Sequence, residues 1–141
     1  MQIGVDSEKA VDNKRLFVVD TDEITRAALQ FMLHDENETH EMPSLEAAYV
    51  KALDWKPDGI LLGIGVVRER GVETLAEIRS RLPEIKILLI AESASDPLAR
   101  SCLQNGVNAV LAKPLTIEAA RRKVDALLGR RVKLAIPVVQ A

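Results

Sequence analysis

The sequence is poor in cysteine and in aromatic residues. Cys102 is the only cysteine among the 141 residues, so the chain can form neither an intrachain disulfide nor a cysteine metal cluster. Aromatic residues make up 3% of the chain, so a core must be mainly aliphatic. A chain without disulfides fits a reducing compartment, and we expect it in the cytoplasm.

Long apolar segments and a strong excess of one charge are also absent. The sequence contains no run of about 18 apolar residues, which a membrane-spanning helix would need. The amino-terminal MQIGVDSEKAVDNKR lacks the apolar stretch of a signal peptide. The 19 basic and 21 acidic residues give a net charge of -2, which does not favour general binding to nucleic acid. We therefore expect neither a membrane nor a nucleic acid among the partners.

Short aliphatic runs recur along the chain and predict strands. Four of them are continuous rather than alternating, as is typical of parallel strands that are covered on both faces. A weaker strand is expected at 39–42, where the spacing requires one. The four continuous runs lie at 16–19, 60–62, 87–90 and 109–111.

Amphipathic segments separate these runs and predict helices. The first helix follows Thr21 and Asp22, either of which can cap its start. Helical spacing places on one apolar face Ile24, Ala27, Ala28, Phe31 and Met32. Four more helices are expected within 43–52, 72–82, 96–105 and 115–128.

The alternation of strand and helix, five times over, predicts an α/β fold. Because crossovers between parallel strands are right-handed, we expect a doubly wound five-stranded parallel sheet with helices on both faces, in three layers α/β/α. The domain is expected at 14–129, with flanking tails at 1–13 and 130–141. The second tail, RRVKLAIPVVQA, is apolar for a chain end; it is either a frayed terminus or linker, or an added strand or partner contact.

Three stretches carry a resemblance to a known family: FVVDTDEITR, PDGILLGIGVVRERG and GVNAVLAKPL. The most specific element is Lys113-Pro114, seven residues after Gly106. With these motifs, residues 14–128 resemble the receiver domain of bacterial two-component response regulators, which has a flavodoxin-like (βα)5 fold. The resemblance implies a role in signal transduction by a phosphorelay.

The resemblance also implies a chemistry at the carboxyl ends of the strands. Receivers accept a phosphoryl group on an aspartate after the third strand, beside a Mg²⁺ ion held by acidic residues after the first. A hydroxyl residue after the fourth strand and a lysine after the fifth hold the phosphoryl oxygens. The corresponding residues of this sequence are Asp20, Thr21, Asp22, Gly63, Ala91, Val110, Lys113 and Pro114.

Most of these residues lack the groups that the chemistry requires. The acceptor position is Gly63, which has no carboxylate. The acidic pair is reduced to Asp20 and the neutral Thr21. The switch hydroxyl is replaced by Ala91, and the switch aromatic residue by Val110.

The sequence therefore predicts a degenerate receiver, or pseudo-receiver, that acts by protein–protein interaction without phosphorylation. Asp20 and the Lys113-Pro114 pair are the retained parts. We expect no enzymatic activity and no cofactor, with Asp20 as the residual candidate for a metal ligand. The expected partner is a histidine kinase, an effector or a second copy bound through the last helices.

Two other functions stay open from the sequence. In one, the site still binds Mg²⁺ and a phosphoryl donor through Asp20 or Asp22. In the other, a flavodoxin-like domain binds a small ligand in a pocket that is enlarged by Gly63, Gly65 and Ala91.

Narrower predictions concern single contacts. Asp20 and Lys113 are expected to form an ion pair across the emptied site. Glu92 is either a solvated loop residue or turns inward and supplies the negative charge of a phosphoryl group. The Lys113-Pro114 peptide bond is expected to be cis, as is common in the family. The charged stretch 68–70 is expected in a solvated loop.

Overall fold

The computed structural model of the chain describes residues 14–130. The elements along them are β1 (Lys14–Val19), α1 (Glu23–Leu33), β2 (Asn37–Met42), α2 (Leu45–Ala52), β3 (Gly59–Gly63), α3 (Ile64–Arg70), α4 (Thr74–Arg81), β4 (Lys86–Ala91), α5 (Pro97–Gln104), β5 (Ala109–Ala112) and α6 (Ile117–Leu127). None of these helices has the length and apolar character needed to cross a membrane. The tails at 1–13 and 131–141, and the predictions made for them, lie outside the described residues.

The five strands form one parallel sheet in the order β2-β1-β3-β4-β5. Helices α1 and α6 pack on one face, and α2, α3, α4 and α5 pack on the other. This confirms the predicted doubly wound, three-layer fold. The chain reverses its direction of winding between β1 and β3, and the carboxyl ends of the strands at such a point border the crevice where ligands bind in open α/β sheets.

Two aliphatic layers separate the sheet from the helices. In β1, Leu16 and Val18 point to the layer under α1 and α6, whereas Phe17 and Val19 point to the opposite layer. This alternation follows from the two-residue period of a strand. Among residues 14–130, Phe17 is the one fully buried aromatic side chain, as the low aromatic content leads us to expect.

Several helices begin at a capping side chain. In α1, α2, α5 and α6, the residue before the helix accepts a hydrogen bond from a backbone N–H of the first turn. These residues are Asp22, Ser44, Asp96 and Thr116. Gly129, with a φ of 75°, follows α6 and adopts the left-handed conformation that commonly ends a helix.

The apolar face predicted for α1 is wrong in part, since Met32 packs against the core but other members of the face do not. Thr25 and Leu29 are buried, whereas Ile24 and Phe31 leave 79% and 68% of their surface exposed. The reason is the hydroxyl of Thr25, which donates a hydrogen bond to Asp22 Oδ2 at 2.8 Å. Because its polar group has a partner, this threonine can be buried at low cost, which apolar spacing alone does not reveal.

The segment after β3, expected as a loop, forms helix α3. Its residues Ile64, Val66 and Val67 are buried, so an apolar face holds the segment against the sheet. The helix ends at Gly71, whose φ of 94° lies in the left-handed region. The prediction of a loop rested on the charged residues at 68–70, which are exposed at the end of the helix.

Candidate functional site

The carboxyl ends of four strands meet at one edge of the sheet. Asp20 follows β1, Gly63 ends β3, Ala91 ends β4 and Lys113 follows β5. A cavity of about 290 Å³ opens at this edge. It is lined by Asp20, Thr21, Asp22, Ile64, Gly65, Arg68, Ile90, Glu92 and Lys113. Most of the site residues predicted from the sequence are therefore close together.

Asp20 is a buried carboxyl group with 7% of its surface exposed. Its Oδ1 accepts a hydrogen bond from the N–H of Asp22 at 2.9 Å. Burial raises the pKa of Asp20, and this effect outweighs the lowering by the Asp22 N–H and by the charge of Lys113. The surroundings of Asp20 thus make its ionised form less favourable than that of a carboxyl group in water.

The side chain of Asp20 fills the space beside Gly63. A Cβ added at Gly63 would lie 2.8 Å from Asp20 Oδ1, and closer still to Oδ2 and Cγ. At Gly65, by contrast, an added Cβ would meet Thr21 Oγ1 at 3.6 Å, an ordinary van der Waals distance. Gly63 and Ala91 do not line the cavity. The glycine that ends β3 is therefore packed against a neighbouring carboxyl group and does not enlarge a ligand pocket.

Asp22 is engaged in capping α1. Its Oδ1 accepts a hydrogen bond from the N–H of Ile24 at 3.1 Å, and its Oδ2 accepts one from the Thr25 hydroxyl at 2.8 Å. The hydrogen bond from Thr25, followed by that from Ile24, lowers the pKa of Asp22. The pKa of Asp20 is therefore raised by burial, whereas the pKa of Asp22 is lowered by hydrogen-bond donors.

Lys113 is paired with groups other than Asp20. Its Nζ lies 3.2 Å from Glu92 Oε2 and donates a hydrogen bond to Thr25 Oγ1 at 3.1 Å. The part of the chain that the structure describes has no ion pair between Asp20 and Lys113, so this predicted contact is wrong. The reason is that the Asp20 side chain turns toward β3. The Lys113-Pro114 bond is cis, as predicted.

The two remaining predicted positions offer apolar groups. Ala91 is fully buried, and Val110 packs against the same core layer. Neither side chain supplies a hydroxyl group or an aromatic ring at this edge. Within residues 14–130, no group of three or more His, Cys, Asp or Glu side chains is placed to hold a metal ion.

The family of the chain is shown by a match that covers the fold and the strand-end site described above. The response regulator receiver domain matches the chain over residues 16–125. The chain belongs to this family. Response regulator receiver domains act in two-component signalling.

Relatives of this receiver domain are response regulators and related transcriptional regulators. The response regulator MprA of Mycobacterium ulcerans is 32% identical over 124 residues, which cover 85% of this chain and 52% of MprA. The transcriptional regulatory protein LnrK of Bacillus subtilis is 25% identical over 113 residues, which cover 78% of this chain and 51% of LnrK. The chain thus spans about half the length of these curated relatives.

Solved structures of receivers have the same fold. A response regulator from Thermotoga maritima has a TM-score of 0.75 at 18% identity, with 83% of this chain and 98% of that chain covered. The chemotaxis protein CheY4 of Vibrio cholerae has a TM-score of 0.72 at 20% identity, with 82% of this chain and 99% of CheY4 covered. At such identities the likeness shows the fold.

Two residues of this receiver domain that connect separate elements were not found by sequence reasoning, and the first of them contacts the site. Thr25 connects α1 to the Lys113 ammonium group, and its position three residues after the helix cap is the signal that could have indicated it. Arg70, at the end of α3, pairs with Glu46 of α2 at 2.6 Å and with Glu77 of α4 at 3.2 Å. No local pattern predicts these pairs, because the partners come from separate helices.

Proposed function

We propose that this receiver domain acts through protein–protein contact without accepting a phosphoryl group itself. The observation that supports this most directly is the packing of Asp20 against Gly63. The acceptor position carries no carboxylate, and a neighbouring carboxyl group fills the space that an acceptor side chain would need. The unit proposed for this role is 14–129, flanked by tails at 1–13 and 130–141.

The state of the other carboxyl groups supports the same proposal. Phosphoryl transfer to a carboxylate needs an ionised oxygen free to attack, with cations placed to neutralise the transferring group. Asp20 is buried against Gly63 with its Oδ1 held by the Asp22 N–H, and both oxygens of Asp22 already accept hydrogen bonds. Lys113 is engaged by Glu92 and Thr25. None of these groups is prepared for the missing reaction.

The donor set at this edge also fits Mg²⁺ poorly. Mg²⁺ requires hard oxygen ligands in nearly octahedral geometry. Asp22 would have to release its hydrogen bonds to α1 before it could bind a metal, and the side chain between it and Asp20 is the neutral hydroxyl of Thr21. We therefore assign no step of the function to a metal ion.

The partner proposed for this domain is a protein. Receiver domains of response regulators interact with histidine kinases and effector domains. For this chain we propose a partner of these classes, or a second copy, bound through the last helices and their connecting loops. The domain would then act as a signalling module without enzymatic activity.

Backbone amide spectra test the proposal. They are recorded for the protein alone, with Mg²⁺, and with Mg²⁺ and beryllofluoride, which mimics a phosphoryl group. We expect the amide shifts of Asp20, Ala91 and Lys113 to stay unchanged throughout. Saturable shifts clustered at these residues would overturn the proposal.

The double variant Thr21→Asp with Gly63→Asp is the matched control, because it restores the acidic pair and the acceptor. Since Asp20 must first leave the space beside residue 63, a dispersed amide spectrum has to show that the variant is folded. If the folded variant binds beryllofluoride, the missing carboxylates explain why the amide shifts of the natural chain do not change. If the amide shifts of the folded variant also stay unchanged, the role given to Gly63 is contradicted.

A further inference from the structure

The outer edge of β2 directs backbone hydrogen-bonding groups away from the sheet. In the sheet order β2 is a terminal strand, and within residues 14–130 it pairs with β1 alone. The carbonyl oxygen of Met42 accepts a hydrogen bond from the N–H of Asp20, so the backbone groups of Met42 face β1. Because successive residues direct these groups to opposite sides, those of Asn37, Thr39 and Glu41 face outward. Such an edge is a template for another strand.

The side chains of β2 do little to repel a second strand. Edge strands are commonly protected by unpaired charges, by proline or by a bulge. The strand, NETHEM, contains no proline and pairs with β1 in an unbroken register. Its two carboxylates are paired within the same chain, Glu38 with Arg15 at 2.6 Å and Glu41 with Arg26 at 3.4 Å. The hydrogen bond from Arg15, followed by that from His40, lowers the pKa of Glu38 to about 2, so its ion pair with Arg15 is kept at neutral pH.

The residues of β2 complement one another about Thr39. In an antiparallel pair of two such strands centred on Thr39, each residue faces the one at the same distance on the other side of the centre. Thr39 then lies opposite the partner's Thr39, and Glu38 lies opposite the partner's His40. Asn37 lies opposite the partner's Glu41. A carboxylate beside an imidazole, an amide beside a carboxylate and two threonines are all hydrogen-bonding combinations, so the strand pairs favourably with a second copy of itself.

The same register also matches the backbone groups. An antiparallel pair exchanges both hydrogen bonds where two outward-facing residues lie opposite each other. With Thr39 on the axis, this holds for Thr39 with itself and for Asn37 with Glu41. The carbonyl of Asn37 already accepts a hydrogen bond from the Thr39 hydroxyl at 3.2 Å, but a carbonyl oxygen has a second lone pair. A register centred on His40 would instead set Asn37 opposite the partner's Pro43, which has no N–H to donate.

An aromatic surface adjoins this edge. Trp55, which precedes β3, is 45% exposed and lies beside His40, with 6.0 Å between the ring centroids. The guanidinium carbon of Arg15 lies 5.0 Å from the centroid of the Trp55 ring. His40 in turn packs edge-on against the buried ring of Phe17, with 5.9 Å between the centroids. Because tryptophan and arginine are among the residues that contribute most to protein interfaces, a strand added beside His40 meets contacts that are already held in place.

We propose that two copies of this receiver domain pair through the outer edges of their β2 strands, antiparallel around a twofold axis at Thr39. The two sheets then form one continuous sheet. A second copy is the occupant that these observations favour, because the edge carries both the pairing groups and their complements, as a twofold interface requires. The proposal is independent of phosphorylation and of the partner proposed above. It places the contact at the edge of the sheet opposite β5, and it therefore differs from an association through the last helices.

Disulfide trapping tests the position of the axis. Thr39→Cys sets two thiols opposite each other, and the Cα separation of about 5.5 Å in a hydrogen-bonded pair suits a disulfide. The natural cysteine, Cys102, is buried and does not compete. We expect most Thr39→Cys chains to run as a dimer on a non-reducing gel after mild oxidation. Glu41→Cys is the matched control on the same edge, because its two thiols would be separated by about 13 Å along the strands, beyond the reach of a disulfide.

Sedimentation of the full 141-residue chain tests the contact without a new thiol. Thr39→Pro removes the outward N–H at the axis, and proline is tolerated at such a position of an edge strand. We expect the natural chain to change from monomer to dimer as its concentration approaches about 1 mM, and Thr39→Pro to weaken this association about tenfold or more. Leu103→Asp, at an exposed position of α5, is the control and should leave the dimer unchanged.

The results that would overturn the proposal are distinct from one another. A natural chain that stays monomeric at that concentration has no such contact. A dimer that Leu103→Asp dissociates and Thr39→Pro does not would place the contact at the last helices. Cross-linking of Glu41→Cys in place of Thr39→Cys would place the axis elsewhere on β2. Protection of the Thr39 and Glu41 amides from hydrogen exchange that does not depend on protein concentration would mean that the same chain covers the edge.

Discussion

The two halves of the strand-end site differ in how their charged groups are held. On the β1–β3 side, Asp20 is 7% exposed and packs directly against Gly63. On the β4–β5 side, Lys113 pairs with Glu92, whose side chain is 72% exposed. Close packing in a region of low dielectric makes the first half intolerant of added or removed groups, whereas water screens the second half. The buried half is therefore fixed by packing, and the open half only balances a charge.

The largest expected effect is that of Gly63→Ala in the buried half. The added Cβ overlaps the Asp20 carboxyl group, and overpacking of this kind typically destabilises a fold by about 1–3 kcal/mol. Urea unfolding of the variant measures this loss. Gly65→Ala is the control, because its Cβ has room, and alanine is favoured over glycine inside a helix by about 1 kcal/mol. If Gly63→Ala is as stable as Gly65→Ala, then Asp20 yields easily and the buried half is not tightly packed.

A second prediction concerns Thr25, the residue that connects the two halves. Its hydroxyl donates to Asp22 and accepts from Lys113. Thr25→Val keeps the shape but removes both hydrogen bonds, and we expect a loss of about 1 kcal/mol in the free energy of unfolding. Thr25→Ser retains the hydroxyl and should therefore keep most of the stability that Thr25→Val loses. If serine is as destabilising as valine, the packing of the methyl group matters and the hydroxyl does not.

A smaller effect should appear in the pH dependence of stability. Because burial raises the pKa of Asp20 above its usual value of 3.8, the folded chain binds this proton more tightly than the unfolded chain. Stability is then fully retained below 3.8 and falls as the pH rises through the folded pKa. Asp20→Asn should remove this fall, as thermal unfolding across acidic to neutral pH would show.

Asp22→Asn should change the pH dependence of stability in the opposite direction. The folded pKa of Asp22 lies below 3.8, so its contribution is present above that value and is lost as the pH falls through the folded pKa. Asparagine caps a helix about as well as aspartate, so the helix start should be retained. If both variants changed the pH curve in the same direction, the opposite shifts of these two neighbours would be refuted.

The sequence predicted the sheet better than it predicted the site. Continuous aliphatic runs such as 87–90 indicate a strand buried on both faces, because no other short element requires apolar groups on every side. Caps such as Asp96 are equally local. The partners of Lys113 were not predictable in this way, because Asp20, Glu92 and Thr25 all lie near the same strand ends. The choice among them depends on side-chain rotamers, and the overlap of Asp20 with the space beside Gly63 arises from two strands that are distant in sequence.

The smallest expected effect is that of Glu92→Gln in the open half. An exposed ion pair usually contributes about 0.2–1 kcal/mol, and salt screens it. A double-mutant cycle with Lys113→Gln measures the coupling between the two side chains, and Glu69→Gln, at an exposed position of α3, is the matched control. We expect a coupling within that range that decreases as salt is added. A coupling well above it, insensitive to salt, would mean that Glu92 is held as firmly as Asp20. The open half would then be as fixed as the buried half, and Glu92 would be a permanent substitute for the charge of a phosphoryl group.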